Sequence, residues 1–281
     1  LRRVPTPEER RRSGGAGIYY HYDYVGGPRS YKWINSTTTA KIWEQMHIAY
    51  TFDANQIWVV NVGDLKPMEY PIEFFLNMAW SPKSWTKERL PEFGVLWAER
   101  EFGTKYAKRI AAIVEGYTKH NQRRKPELQD ASVYSLLNYR DAERVVGEIN
   151  ASAAAAEAIY QELAPEYRDA LFQLVLFPTK ASANLTAMYY AQAQNLLYAQ
   201  QGRANANQYA EQVRKLFEID SALAEQYHSL QGGKWNHMAS QPHIGYVYWN
   251  QPEANTLPMT ANYEPHAKAE MGIAVEGSAA A

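Results

Sequence analysis

The sequence predicts an α/β unit followed by an all-α bundle. Two short β-prone runs, GIYYHY and QIWVVNV, flank a helix-compatible segment, and each ends in polar and glycine residues. Beyond residue 84 the pattern changes, and helix-compatible segments continue to about residue 231. We therefore expect a parallel sheet or barrel over residues 1–84, a helical bundle over 85–231, and an aromatic-rich segment leading into a linker over 232–281.

The first 80 residues alternate between strand and helix patterns. Residues 16–22 and 56–62 read as strands, and the second is almost continuously apolar, as in a parallel strand buried on both faces. Between them, a helix over 40–52 places Ile42, Met46 and Ala49 on one face. Another helix is predicted over 70–80. This order is a βαβ unit, so the polar ends of both strands emerge at the same edge.

The region after residue 84 is predicted to be a succession of helices with short connections. Gly103, Pro126, Pro165, Pro178 and Gly202 separate the segments. The predicted helices span 88–101, 105–121, 135 or 141 to 163, 166–176, 180–200 and 205–230.

Composition excludes several classes of function. With 29 basic and 30 acidic residues, the chain has no field that would attract nucleic acid. No apolar run approaches the roughly 18 residues that cross a bilayer, so no membrane role is expected. The absence of cysteine excludes disulfides and thiolate metal sites. The 21 tyrosines and 8 tryptophans suit sugar ligands, although core packing is the alternative explanation.

The sequons and the first residues of the chain give information on the cellular setting and on the start of the chain. Sequons at Asn35, Asn150 and Asn184 are compatible with secretion. The first 15 residues, LRRVPTPEERRRSGG, lack the apolar region of a signal peptide, and we expect the chain to begin inside a domain of a longer protein.

Polar side chains follow both predicted strands. Parallel sheets and barrels place ligands at this edge, because the loops there converge. Two carboxylates on neighbouring strands are the minimum set for general acid and base catalysis at a glycosidic bond. Arg29 could hold a substrate carboxylate through two hydrogen bonds. The candidates are His21, Asp23, Arg29 and Tyr31 after the first strand, and Asn61, Asp64, Lys66 and Glu69 after the second.

Each candidate also has a structural explanation. Asp23 may bond the N–H groups of its own glycine turn, Asp64 may be a turn residue, and His21 may be a hydrogen-bonded core histidine. Glu44 lies mid-helix, where a solvated charge is expected. His237 and His243 have no third ligand at a persuasive spacing, so no metal site is predicted.

Three long segments resemble glycoside hydrolase family 115, the xylan α-1,2-glucuronidases. They are GIYYHYDYVGGPRSYKW, IWEQMHIAYTFDANQIWVVNVGDLKPMEYPIEFFLNMAW and GKWNHMASQPHIGYVYW. The resemblance implies release of glucuronic acid or its 4-O-methyl ether from glucuronoxylan or xylo-oligosaccharides, with inversion and without a cofactor. It also implies the C-terminal part of a TIM-type (β/α)8 barrel followed by a helical bundle, in a secreted protein whose relatives dimerise.

The resemblance orders the candidates for the site. Asp64 is the first choice for a catalytic carboxylate, followed by Asp23 and Glu69, with Glu44 last. The side chains expected to bind the uronic acid are His21, Tyr22, Arg29, Tyr31, Asn61, Lys66, Trp235, His237 and Tyr246. We expect earlier barrel strands to supply a further essential residue, so that the isolated chain is inactive. The alternative is a non-catalytic carbohydrate-binding or structural fragment.

Overall fold

The computed structural model describes residues 1–268, 270–275 and 277–280. This part of the chain is mostly helical, with one small sheet. Its elements are α1 Pro7–Arg10, β1 Ile18–His21, α2 Thr39–Thr51, β2 Trp58–Asn61, α3 Glu69–Trp80, α4 Leu90–Phe102, α5 Ala107–Arg123, α6 Asp141–Glu162, α7 Pro165–Leu171, α8 Phe177–Gln200 and α9 Ala206–Gly233.

The two strands form the predicted parallel βαβ unit. β1 and β2 pair in parallel, from Ile18 opposite Trp58 to His21 opposite Asn61, and α2 connects them. Ile42, Met46 and Ala49 of α2 are fully buried, as the helical pattern predicts. Among the described residues the sheet has these two strands, and a barrel is not seen.

The two faces of the sheet have different surroundings. Tyr20 and Val60 point toward the core that α2 and α3 close. On the opposite face, Tyr19 and Val59 are 66% and 39% exposed. Because successive side chains of a strand alternate between faces, His21 and Asn61 share this open face with them.

The bundle contains every helix that the sequence predicts, with one correction. The segments predicted over 166–176 and 180–200 are continuous, because the π-helical turn Phe172–Leu176 joins α7 to α8. Pro178 was expected to interrupt the chain there. It lies instead at the second position of α8, directly after the π-helical turn.

The segment after α9 returns to the sheet. Ser30 N donates to Trp249 O at 2.7 Å, and Lys32 Nζ donates to Gln251 Oε1 at 2.8 Å. Residues 241–256 therefore lie against the loop that follows β1, although a regular element does not form there.

Two findings bear on the cellular setting. No helix among the described residues is both long enough and apolar enough to cross a membrane. Asn35 and Asn184 are 0% and 8% exposed, so these two sequons are inaccessible in the folded chain, whereas Asn150 lies exposed on α6.

Candidate active site

His21 and Asn61 lie next to each other at the carboxyl ends of β1 and β2. Asn61 Oδ1 accepts the Gly63 N–H at 3.1 Å, which fixes the orientation of the amide. Asn61 Nδ2 therefore faces His21 Nδ1, 3.2 Å away, and the Asp23 carbonyl oxygen lies 3.3 Å from the same ring nitrogen. The His21 ring itself is exposed to solvent.

Asp23 is the buried carboxylate of this edge. Its side chain is 7% exposed and rests on Gly63, where a β-carbon would lie 2.5 Å from Asp23 Oδ2. Burial raises the pKa of Asp23, and the Asp64 carboxylate raises it further, while Lys32 and His21 oppose these effects. Asp23 is therefore protonated at a higher pH than an ordinary aspartate.

A folded-back loop carries the next group of side chains. Tyr24 and Tyr31 exchange two backbone hydrogen bonds of 3.0 Å, and their rings stack with centroids 5.5 Å apart. Lys125, from the connection after α5, lies 4.3 Å from the centre of the Tyr31 ring and donates to Ser36 Oγ at 2.6 Å. Burial lowers the pKa of Lys125 to about 8.

Glu127 fastens this loop to the helical bundle. Its Oε1 accepts the N–H groups of Lys32 at 2.7 Å and Trp33 at 2.9 Å, and its carbonyl oxygen accepts from Arg29 Nη1 at 3.2 Å. Glu127 is 3% exposed, so these bonds are shielded from water. The loop is thus held in one position by a residue almost a hundred positions later.

The segment after α9 completes the edge. The Arg29 guanidinium lies 5.6 Å from the centre of the Tyr246 ring, and the Tyr246 hydroxyl is buried without a hydrogen-bond partner. His243 stacks on Trp33 with ring centroids 3.4 Å apart, and its Nε2 lies 3.0 Å from Asp220 Oδ1. These contacts hold Tyr246 beside Arg29.

Comparison with known proteins points to a family. A model described as glycosyl hydrolase family 115 matches residues 1–128. The chain is also similar to a solved structure described as "A novel family GH115 4-O-Methyl-alpha-glucuronidase, BtGH115A, with specificity for decorated arabinogalactans". The TM-score is 0.75, the identity is 29%, and the match covers 94% of this chain and 35% of that one. Together these two findings support membership of glycosyl hydrolase family 115.

The chain spans about a third of the length of the solved relative, 35%. No curated protein sequence matches this chain.

A second polar cluster lies where β2 leads into α3. Lys66 Nζ lies 2.5 Å from Glu69 Oε1 and 2.5 Å from Gln173 Oε1. It also lies 4.4 Å from the centre of the Trp235 ring. The structure therefore brings together three of the predicted residues, Lys66, Glu69 and Trp235, and adds Gln173 from the π-helical turn.

Several predicted residues are placed differently from the expectation. Tyr22 is 1% exposed and donates its hydroxyl to Pro71 O at 3.1 Å, so its place as a binding residue is corrected to one in the core. Glu44 lies on the solvent face of α2, paired with Lys41 at 2.6 Å. His237 is exposed beside His228, with ring centroids 6.1 Å apart. Asp64 is exposed in the turn after β2.

Four contributors to the site were missed by sequence reasoning: Lys32, Gly63, Lys125 and Glu127. Lys32 and Gly63 lie inside the two motifs, so proximity to Asp23 and Asn61 was the available signal. Lys125 and Glu127 follow α5 in an ordinary charged stretch, and nothing in that stretch distinguishes them. Within the described ranges, no group of three or more His, Asp and Glu side chains is arranged to hold a metal ion.

Proposed function

We propose that this chain is part of an inverting glycosidase that releases glucuronic acid or its 4-O-methyl ether from α-1,2-linked side chains of glucuronoxylan. The observation that carries the proposal is the carboxyl edge of the sheet. There, the buried Asp23 carboxyl lies beside the exposed His21 ring and the cationic Arg29 loop. The family match supports glycoside hydrolysis, and the solved relative supports a 4-O-methyl-glucuronic acid leaving sugar.

Asp23 is proposed as the general acid. Its raised pKa favours the protonated form, which an acid catalyst needs before it delivers a proton to the glycosidic oxygen. Cleavage of the C–O bond then leaves an oxocarbenium-like sugar, and a water molecule attacks from the opposite face. Asp64 is solvent-exposed and close enough to raise the pKa of Asp23 by its charge. It is our candidate for the carboxylate that takes the proton of that water.

Binding of the uronic acid is assigned to the loop and to the last segment. Arg29 offers a planar fork of donors that matches a carboxylate, and the exposed His21 ring can form a hydrogen bond with a sugar hydroxyl. The unpaired Tyr246 hydroxyl supplies another polar group beside Arg29. Tyr31 and Asn61 hold the neighbouring groups in place. Glu44, Tyr22 and His237 are left out of the proposed site because of their positions.

The cluster of Lys66, Glu69 and Trp235 is proposed to extend the site toward the polysaccharide. A lysine that already contacts an indole ring offers an apolar surface and a cation next to each other. Because the Glu69 carboxylate forms an ion pair with Lys66, we propose a binding role for Glu69 and not the catalytic role that the sequence suggested.

The open face of the sheet supports a barrel. Tyr19 and Ile57 are 66% and 65% exposed at the sheet, and an uncovered apolar sheet face in a soluble enzyme needs a neighbour. We propose that β1 and β2 are late strands of a TIM-type barrel, with residues 85–231 as a helical domain and 232–281 as the connection onward. A secreted, homodimeric protein remains our proposal for the whole enzyme.

The proposed function is tested by measuring the release of uronic acid. The full-length enzyme, of which this chain is proposed to be a part, is purified and incubated with 4-O-methyl-glucuronoxylan and, separately, with a glucuronic acid-decorated arabinogalactan, and the anomer first released is followed by ¹H NMR. We expect β-configured uronic acid from the xylan. Release from the arabinogalactan alone would transfer the proposal to that polysaccharide. Retained configuration, or binding without release, would contradict the inverting hydrolase.

A further inference from the structure

A separate cavity lies between the start of α2 and helices α4 and α5. Its volume is about 540 Å³, within the range of small-molecule sites, and its lining includes Thr38, Tyr70, Gly94, Glu115, Lys119 and Arg123. None of these residues belongs to the proposed active site. The cavity therefore needs its own explanation.

The floor of the cavity contains an unpaired tyrosine hydroxyl. Tyr70 is 9% exposed, with its ring packed 5.0 Å from Trp97 and 5.3 Å from Phe93. Its hydroxyl has no hydrogen-bond partner among the described residues. A β-carbon on Gly94 would lie 3.0 Å from Tyr70 Oη, and both residues line the cavity, so the hydroxyl faces into it. The hydroxyl is therefore available to a ligand that enters the cavity.

The other end of the cavity favours an anion. α2 begins there, with Thr38 Oγ accepting from Lys41 N at 3.2 Å, while the N–H groups of Thr39 and Ala40 have no partner in the described part of the chain. A helix start of this kind carries a partial positive charge. Lys119 adds a cation that has no ion pair among the described residues. Arg123 adds a second, which is shared with Glu148 at 3.1 Å.

The two ends of the cavity lie at different positions along α5. Ala111 and Glu115 adjoin the Tyr70 end, because the β-carbon of Ala111 lies 3.3 Å from the position of a Gly94 β-carbon. Gln122 marks the other end, since its Oε1 accepts from Thr38 Oγ at 2.7 Å. Eleven helical residues separate Ala111 from Gln122, or about 16 Å at 1.5 Å per residue. The cavity is thus polarised, with donors for an anion at one end and hydroxyl and carboxylate groups at the other.

We propose that this cavity binds a short oligosaccharide that ends in a sugar acid. The carboxylate of that sugar acid lies at the start of α2 beside Lys119, and hydroxyls of the sugars that follow it bond Tyr70 and Glu115. Apolar walls from Leu90, Pro91 and Ala111 contact the C–H faces of the ring. The site is distinct from the carboxyl edge of the sheet and does not depend on the activity proposed there.

The test is calorimetric titration of the purified protein with sodium glucuronate, D-glucose and inorganic phosphate. The His21→Ala variant provides a background in which the carboxyl edge is impaired. We expect glucuronate to bind in that background at least tenfold more tightly than glucose or phosphate. Lys119→Gln should weaken binding about tenfold, and Lys108→Gln, an exposed lysine on the same helix, should not change it.

Several outcomes would overturn the proposal. Glucuronate binding that disappears in His21→Ala would place it at the active site instead. Phosphate binding as tight as glucuronate would indicate a simple anion site, and unchanged binding in Lys119→Gln would remove the cavity from consideration. Lys119 is exposed, so Lys119→Gln is expected to fold like the parent.

Discussion

Asp23 and Gly63 are in direct contact across the two strands, with room for a hydrogen atom but not for a β-carbon at residue 63. A β-carbon there would lie 2.5 Å from Asp23 Oδ2, and Gly63 also has a φ of +67°. The glycine of the second motif therefore determines where the carboxylate of the first motif lies.

Gly63→Ala is expected to displace Asp23 and to destabilise the fold. The left-handed conformation of a residue with a β-carbon costs about 1–2 kcal/mol, and the contact with Asp23 adds to it. We expect at least a tenfold loss of activity and a lower midpoint in urea unfolding. Gly14→Ala is the matched control, since nothing lies within 4 Å of a β-carbon there. Equal activity of both variants would show that the contact does not position Asp23.

Glu127→Gln should loosen the loop that carries Arg29 and Tyr31. The carboxylate accepts two buried backbone N–H groups, and a weaker neutral acceptor should cost about 1–3 kcal/mol of stability. Urea denaturation measures the loss, and the KM for substrate should rise together with it. Glu218→Gln, at an exposed position on α9, serves as the control. A Glu127→Gln variant with the stability and KM of the parent would show that the loop does not need this anchor.

Lys125 should give the activity an alkaline limit. Below its pKa of about 8 the ammonium is charged and attracted to the Tyr31 ring, and this attraction is lost as pH rises through that value. We expect kcat/KM to fall above pH 8. In Lys125→Arg, whose cation persists, the limit should move to a higher pH. In Lys125→Met the overall rate should be lower and the alkaline limit should be absent. A limit that stays at the same pH in Lys125→Arg would assign it to another group.

His120 should make the fold sensitive to mild acid. Burial lowers the pKa of His120 from 6.5 to about 4, so the unfolded chain binds a proton over this range that the folded chain excludes. Stability is complete above pH 6.5 and declines as the pH falls, by about 2 kcal/mol at pH 5. The difference in unfolding free energy between pH 7 and pH 5 should shrink in His120→Gln. It should persist in the exposed control His266→Gln, and an undiminished difference in His120→Gln would assign the effect to other groups.

The βαβ unit was predictable because its signals are local. The apolar runs at 16–22 and 56–62 and the helical pattern of Ile42, Met46 and Ala49 depend on residues within a few positions of one another. The bundle helices followed from the same kind of pattern. The junction at Pro178 was not predictable, because a π-helical turn depends on how α7 and α8 pack.

The meeting of the polar residues of the two motifs at one sheet edge was predictable, but their burial was not. The VGDLKP turn favoured Asp64, yet Asp23 is the buried carboxylate, because Gly63 and Lys32 fold over it. The support of the loop by Glu127 and His243 joins residues that are about 90 to 210 positions apart. No local pattern in the sequence predicts contacts between residues so far apart.

The most direct measurement of the central claim compares Asp23→Asn with Glu44→Gln, each made in the full-length enzyme, in uronic acid release from 4-O-methyl-glucuronoxylan. The two variants remove one carboxylate each, Asp23 from the buried edge and Glu44 from the solvent face of α2. We predict a loss of at least a hundredfold in kcat for Asp23→Asn with a retained cooperative melt, and near-parental kcat for Glu44→Gln. Near-parental release by a folded Asp23→Asn variant would contradict the account.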